Sequence, residues 1–289
     1  MCSQTARFRF LFISTLVLIA LFSYCPPFIA AQQSDLPAST AGESQPPPEQ
    51  AKPPYKVALD FDNFESGTVP TGFRSALAGE GQKVSWVVKE EPSAPSGTKV
   101  LAQTSVDELG YRFPILVYDK FTTGDVEVSV QFKTISGKVD QVAGIIARFQ
   151  DQDHFYMVRA DALEGEVKLY KVVDGVRQSL ARENAQVTPG EWHTLKLAVK
   201  DDHFAVFLNG KSLFEADDET FAAAGKVGLA TKADSVTIFD NLQIESDDPN
   251  WIETQADTKT KPEDATLADT VSEEPDKQAP AATPQGSAP

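Results

Sequence analysis

Between Lys56 and Glu245 apolar and polar residues alternate in short runs separated by turn-forming residues. Side chains two apart share one face of an extended strand, so such a run has one face to bury and one to leave in water. In residues 192–199, His193, Leu195, Leu197 and Val199 point one way, and Trp192, Thr194 and Lys196 point the other. A helical period would need apolar residues three or four apart, and this rhythm does not supply it. Fourteen such runs with turns between them predict an all-β fold, a two-sheet antiparallel jelly-roll sandwich.

The turns support this. Asp174-Gly175 and Asn209-Gly210 are the strongest hairpin signals, because both central residues of a type I′ turn need positive φ. They predict that 166–172 pairs with 176–182, and 204–208 with 212–216. Pro114 separates two predicted strands, 111–113 and 115–119, and residues 218–224, acidic at the start and stopped by Gly225, predict one or two helical turns.

Alternation also sorts side chains by face. Val126, Val128, Val130 and Phe132 form an inward row, with Glu127, Ser129, Gln131 and Lys133 outward. By the same rule Ile145, Ala147 and Phe149 go inward and Ile146 and Arg148 outward. Tyr156, Val158, Val167 and Leu169 go in; Phe155, Met157, Arg159, Lys168 and Tyr170 go out. If these four consecutive runs form a meander, Glu127, Gln131, Arg148, Arg159 and Tyr170 share one polar-aromatic surface. Rings for the apolar face of a sugar and fixed polar groups for its hydroxyls would suit a ligand-binding face; the plainer alternative is an ordinary solvated sheet surface.

The ends of the chain do not join this pattern. Arg7 and Arg9 precede an apolar run from Phe10 to Phe22, and Ala30-Ala31 precede Gln32, so residues 1–31 are expected to be a secretory signal peptide, with an uncleaved membrane anchor as the alternative. Tyr24 before Cys25 does not fit a lipoprotein site. Residues 32–54 form a Pro-rich linker, 55–245 the sandwich, and 246–289 an acidic tail expected to be disordered, save for Trp251-Ile252, which could dock back. Cys2 and Cys25 both fall in the signal segment, so the sandwich must stand on its core without disulfides. The localisation expected is extracytoplasmic, periplasmic or secreted.

The net charge is −16; ten acidic residues against Lys259, Lys261 and Lys277 place −7 of it in the tail. A field of that sign repels nucleic acid and anionic membrane surfaces, leaving neutral sugars, cations and other proteins as partners.

Several strings resemble the concanavalin A-like lectin/glucanase superfamily, and within it the laminin-G-like and 3-keto-disaccharide-hydrolase-like domains. They are Asp60-Phe61-Asp62-Asn63-Phe64-Glu65, Arg148-Phe149-Gln150-Asp151-Gln152-Asp153-His154-Phe155-Tyr156, Gly190-Glu191-Trp192-His193, Val206-Phe207-Leu208-Asn209-Gly210 and Phe239-Asp240-Asn241-Leu242. The resemblance implies a concanavalin A-like sandwich and a role among lectins, adhesion modules or glycosidases. The glucanase branch carries a pair of catalytic glutamates on one strand. Here Asp125-Val126-Glu127 continues as Val128-Ser129-Val130 without a second glutamate, which argues against that chemistry.

Asp60, Asp62 and Asp240, with Glu65 nearby, are candidate ligands of a structural calcium if the first and last strands pair; turn capping is the alternative. His154, His193 and His203 lack metal-ligand spacing, and His193 alternates with Leu195 as a core-edge residue. The function expected is a non-catalytic carbohydrate-binding or adhesion module that meets a glycan or a cell-envelope component. Its rivals are a glycoside hydrolase of 3-keto-glycosides using Glu127 or Asp161 as general base, and a cell-envelope interaction scaffold.

Overall fold

A computed structural model describes residues 54–254, which contain sixteen strands and no helix. The expected signal peptide, most of the expected linker and most of the acidic tail lie outside the described residues. In chain order the strands are β1 (Tyr55–Leu59), β2 (Phe73–Gly79), β3 (Trp86–Glu90), β4 (Lys99–Gln103), β5 (Arg112–Thr123), β6 (Val126–Ser136), β7 (Val142–Asp151) and β8 (His154–Asp161). Then follow β9 (Glu166–Val173), β10 (Val176–Asn184), β11 (His193–Lys200), β12 (His203–Leu208), β13 (Lys211–Asp217), β14 (Gly225–Ala230), β15 (Val236–Ser246) and β16 (Ile252–Glu253).

Two antiparallel sheets stack face to face. Sheet A runs β13-β12-β11-β6-β15-β4-β3, with β1 also on β15; sheet B runs β10-β9-β8-β7-β14-β5, with β2 and β16 on the far edge of β5. The first and last long strands pair, Lys56 opposite Glu245. Both hairpins form where Asp-Gly and Asn-Gly stand, with Asp174 and Asn209 at positive φ and their glycines likewise.

The main core lies between the sheets. Val128, Val130 and Phe132 from β6 and Leu195 and Leu197 from β11 meet Ile145 and Ala147 from β7 and Tyr156 and Val158 from β8. Full burial of each large apolar side chain contributes about 1.5–3 kcal/mol, which lets a domain without disulfides hold together. Trp251 packs on this core beside Tyr55 and Phe121, where β16 pairs with β5.

The structure departs from the sequence expectations in five places. Strand β2 was not expected, because its residues, partly buried on both sides, do not alternate. Pro114 does not interrupt β5: it lies opposite Leu77 of β2, and its carbonyl accepts the Thr231 N–H at 2.9 Å. Residues 218–224 form an irregular loop rather than a helix, pinned by Asp218 and Phe221 on the Tyr156 hydroxyl. Phe149 turns to the outer face of sheet B, since a bulge at Arg148, φ 47°, shifts the register. Finally, β6 is not beside β7: it crosses into sheet A between β11 and β15, while β7, β8 and β9 lie in sheet B. That crossing separates Glu127 and Gln131 from Arg159 and Tyr170.

Candidate functional site

The five residues expected to share one surface fall on three. Glu127 and Gln131 are on the outer face of sheet A. Arg159 and Tyr170 are on the outer face of sheet B, and Arg148 lies where the bulge carries it, at one end of the sandwich. Arg148 donates to the carbonyls of Gly124 (3.0 Å), Phe221 (2.9 Å) and Asp201, tying three loops together with 4 % of its surface exposed.

The outer face of sheet B is buried around Arg159 and Tyr170 and opens at one side into a depression of about 420 Å³ lined by Ala78, Phe113, Phe155 and Val172. Arg159 is 3 % exposed and Tyr170 1 %, and both stand among Ile115, Val117, Ile146, Phe155 and Met157 in a second apolar cluster. Gly144 faces Arg159 across β7 and β8, and a Cβ there would come within 2.5 Å of the Met157 methyl, so the glycine makes room for Met157. The Tyr170 hydroxyl donates to Met157 Sδ at 2.9 Å, and burial pushes its pKa up to about 12.

At one end of this face lies a network of charges. Arg159 bridges Asp161, Glu164 (2.5 Å) and Glu166 (3.1 Å), Lys168 joins Glu166, and Lys232 holds Asp140 at 2.6 Å. Burial works against the Arg159 charge, but Tyr170, Asp161 and Glu164 outweigh it and raise its pKa. Burial raises Asp140 as well, with Lys232 opposing. Asp140, Asp161 and Glu164 are the one set among the described residues whose carboxylate oxygens approach within 4.8 Å, as a bound cation would require. Arg159 and Lys232 already neutralise them. Asp161, the alternative general base, has no exposed surface, and besides its ion pair it accepts the N–H groups of Leu163 (3.0 Å) and Glu164 (3.3 Å).

Asp60, Asp62 and Asp240 gather where β1 and β15 pair, but their oxygens serve a loop. Asp62 accepts the N–H groups of Thr98 (2.8 Å) and Lys99 (2.9 Å), and Asp240 those of Ser96 (3.0 Å) and Asn241 (2.7 Å). The Lys99 ammonium sits on the carbonyls of Asp62 and Phe64. Gly97, φ 56°, passes so close that any Cβ would overlap the Asp62 carboxylate. Calcium takes six to eight oxygens, backbone carbonyls and waters included. Asp62 and one oxygen of Asp240 hold residues 96–99, and Asp60 accepts the Asp62 N–H at 3.2 Å, so these carboxylates act as loop caps.

The outer face of sheet A is built differently. Toward β3 and β4 it is covered, with Val100, Ala102 and Ile238 buried against Ala94 and Trp192, and it is open over β11, the first part of β6 and the end of β15. The register sets Thr194 opposite Gln131, Lys196 and Gln243 on either side of Ser129, and Ala198 and Glu245 on either side of Glu127. A bulge between Asp240 and Gln243, with Asn241 at φ 50°, turns Asn241 toward Gln131, to whose Oε1 its amide donates at 2.6 Å. Ser129, Gln131, Thr194, Asn241 and Gln243 line a shallow depression of about 440 Å³. The side-chain hydroxyls of Ser129 and Thr194 and the amide of Gln243 make no hydrogen bond among the described residues. Next along the strands, Glu127 pairs with Lys196 and Lys56 with Glu245, each at 2.7 Å, around a second depression of about 470 Å³. Lys196 also lies 5.0 Å over the half-buried Phe207 ring.

Of the residues forming this polar comb, sequence reasoning named Gln131 and missed Ser129, Thr194, Asn241 and Gln243 as site residues. Alternation turns Thr194 away from Leu195 and Gln243 away from Leu242 and Ile244, so their outward direction was readable; their adjacency to Gln131 was not. His193 is buried at the core edge as expected, bonded to Thr188 (3.2 Å) and Asn209 (3.1 Å).

Two stacked antiparallel sheets joined in this order define a concanavalin A-like jelly-roll sandwich. Within that class the chain belongs to the family of the 3-keto-alpha-glucoside-1,2-lyase-like domain, whose model matches residues 68–245. No curated protein matches the sequence. Among solved structures it is similar to carbohydrate binding module CBM66 from Bacillus subtilis, at 18 % identity and TM-score 0.50, over 61 % of this chain and 96 % of that one. It is also similar to a protein of unknown function from Shewanella oneidensis (16 % identity, TM-score 0.46, 70 % and 89 % of the two chains). A further similar structure is a protein of unknown function with a galectin-like fold from Bacillus subtilis (11 %, 0.43, 63 % and 90 %).

Proposed function

We propose that this protein is a non-catalytic, extracytoplasmic carbohydrate-binding module whose contact surface is the outer face of sheet A. The observation that carries this is the comb of Ser129, Gln131, Thr194, Asn241 and Gln243, solvent-facing amides and hydroxyls held on three adjacent strands of a rigid sheet. Sugar hydroxyls both donate and accept, and amide and hydroxyl side chains answer both needs. Strands fix these groups more firmly than loops do, which lowers the entropy cost of binding. Membership in a family of glucoside-lyase-like domains supports a role in sugar recognition. Glycan-array binding by the purified protein tests it: one or more glycans should bind, and Gln131→Ala should weaken the interaction about tenfold while leaving the urea midpoint in place. An array blank for the unaltered protein would sink the proposal.

The family description favours a second reading, cleavage of a 3-keto-alpha-glucoside or a related modified sugar. Of its two candidate bases, Asp161 is enclosed by Arg159, whereas the Glu127 side chain, 48 % exposed, borders the comb. Turnover of a 3-keto-glucoside that disappears in Glu127→Gln would establish the enzyme; binding without turnover would set it aside.

A further inference from the structure

Taking the outer face of sheet A as the sugar surface, we infer that its ligand is an uncharged glycan, laid along β6 and β15 and read by amides and hydroxyls with no ionic contact. Three observations lead there. The five side chains of the comb are neutral, so nothing in the first depression can pair with a carboxylate or a sulfate. The cations nearest to it are already engaged: Lys133 is bound to Glu91 and Ser93, Lys196 is bound to Glu127 and lies over Phe207, and Lys56 is bound to Glu245. Recognition of an anionic sugar draws its strength from a free guanidinium or ammonium, and neither faces the comb.

The second depression makes the same choice by repulsion. Asp125, Glu127, Glu245 and Asp247 line it against Lys56 and Lys200, four acids to two bases, in a chain that carries −16 overall. A polyanion sliding along the sheet would meet like charge there. Along β6, Gln131 and Glu127 stand four residues apart, about 14 Å at the usual strand rise, so the two depressions together offer length for more than one sugar ring. Ala58 and Ala198 keep the flanks of that track low.

Affinity electrophoresis of the full chain separates the possibilities. Gels would carry dextran, laminarin or galactomannan as uncharged polymers, and polygalacturonate or dextran sulfate as anionic ones, each at low and high salt. The expected result is retardation by at least one uncharged polymer, unchanged by salt because no ion pair is screened, and about tenfold weaker in Gln131→Ala. Gln243→Lys would place a free cation in the comb and should gain salt-sensitive retardation by dextran sulfate. Salt-sensitive retardation of the unaltered protein by the anionic polymers alone would overturn the uncharged-ligand inference while leaving the sugar-binding face intact. No retardation in any gel would remove both.

Discussion

The two outer faces of this sandwich obey one alternation rule and have opposite fates. On sheet A the outward residues from Glu127 to Gln131 of β6, with Thr194 and Lys196 of β11 and Asn241, Gln243 and Glu245 of β15, meet water as hydroxyls, amides and exposed ion pairs. Farther along, Ile238 and Lys133 opposite it are buried. On sheet B the outward residues of β7, β8 and β9 are buried among themselves, and the charges they include are neutralised within the network around Arg159. Outward in a strand is therefore not the same as solvent-facing in a protein. An arginine on sheet B is a structural counter-ion, whereas a glutamine on sheet A, bonded through its oxygen to Asn241, stays at the solvent-facing surface.

The largest effect is expected where that contrast is steepest. Arg159→Met would leave Asp161 buried without its counter-charge, and urea unfolding should report a loss of about 3–5 kcal/mol. A loss under about 1 kcal/mol would mean that water reaches this face, and the contrast between the sheets would fail.

A smaller effect is expected in the loop that carries the chain from sheet A to sheet B. Burial works against the Asp218 charge, but hydrogen bonds from Lys171 (2.7 Å), Tyr156 (2.6 Å) and Thr220 (3.0 Å) prevail and hold the carboxyl at about 2, below its ordinary 3.8. Because the folded pKa is the lower one, the stability this group contributes is present above pH 3.8 and lost as pH falls through 2. The shift corresponds to about 2 kcal/mol. Lys171→Met should remove much of it at neutral pH and flatten the acid limb of the stability profile; an unchanged acid limb would count against this role of Lys171.

On sheet A, Gln131→Ala should cost binding and not stability, about tenfold in affinity against about 0.5 kcal/mol or less in unfolding. If unfolding changes more than binding, the comb is a packing feature. The smallest effect is expected for Glu127→Gln, which breaks an exposed ion pair worth about 0–1 kcal/mol and should leave a neutral glycan bound. A large loss of binding there would bring charge back into recognition.

How far the sequence could be read depended on the range of the interactions involved. The inward rows of β6 and β11 were legible because alternation is local, and both hairpins because Asp-Gly and Asn-Gly prefer the φ they need. The continuity of β5 through Pro114 was not, since it rests on the pairing of β2 and the Thr231 amide, both far along the chain. Nor was the turn of Phe149, which follows from a bulge at Arg148.

The candidate site shows the same division. Glu127, Gln131, Arg159 and Tyr170 were each assigned to the outward side of their own strands, and each is there. What separated them was the crossing of β6 into sheet A, and what completed the comb was the arrival of Asn241 and Gln243 from β15, more than a hundred residues away.

By itself, then, the chain determined an all-β sandwich and the inward or outward direction of residues along regular strands, because a period of two is a property of neighbouring peptides. Which strands became neighbours, which outward face closed, and which polar side chains met were decided only in the tertiary structure. Those outcomes depend on pairings between distant segments, whose loop-closure cost and burial gain no local window contains.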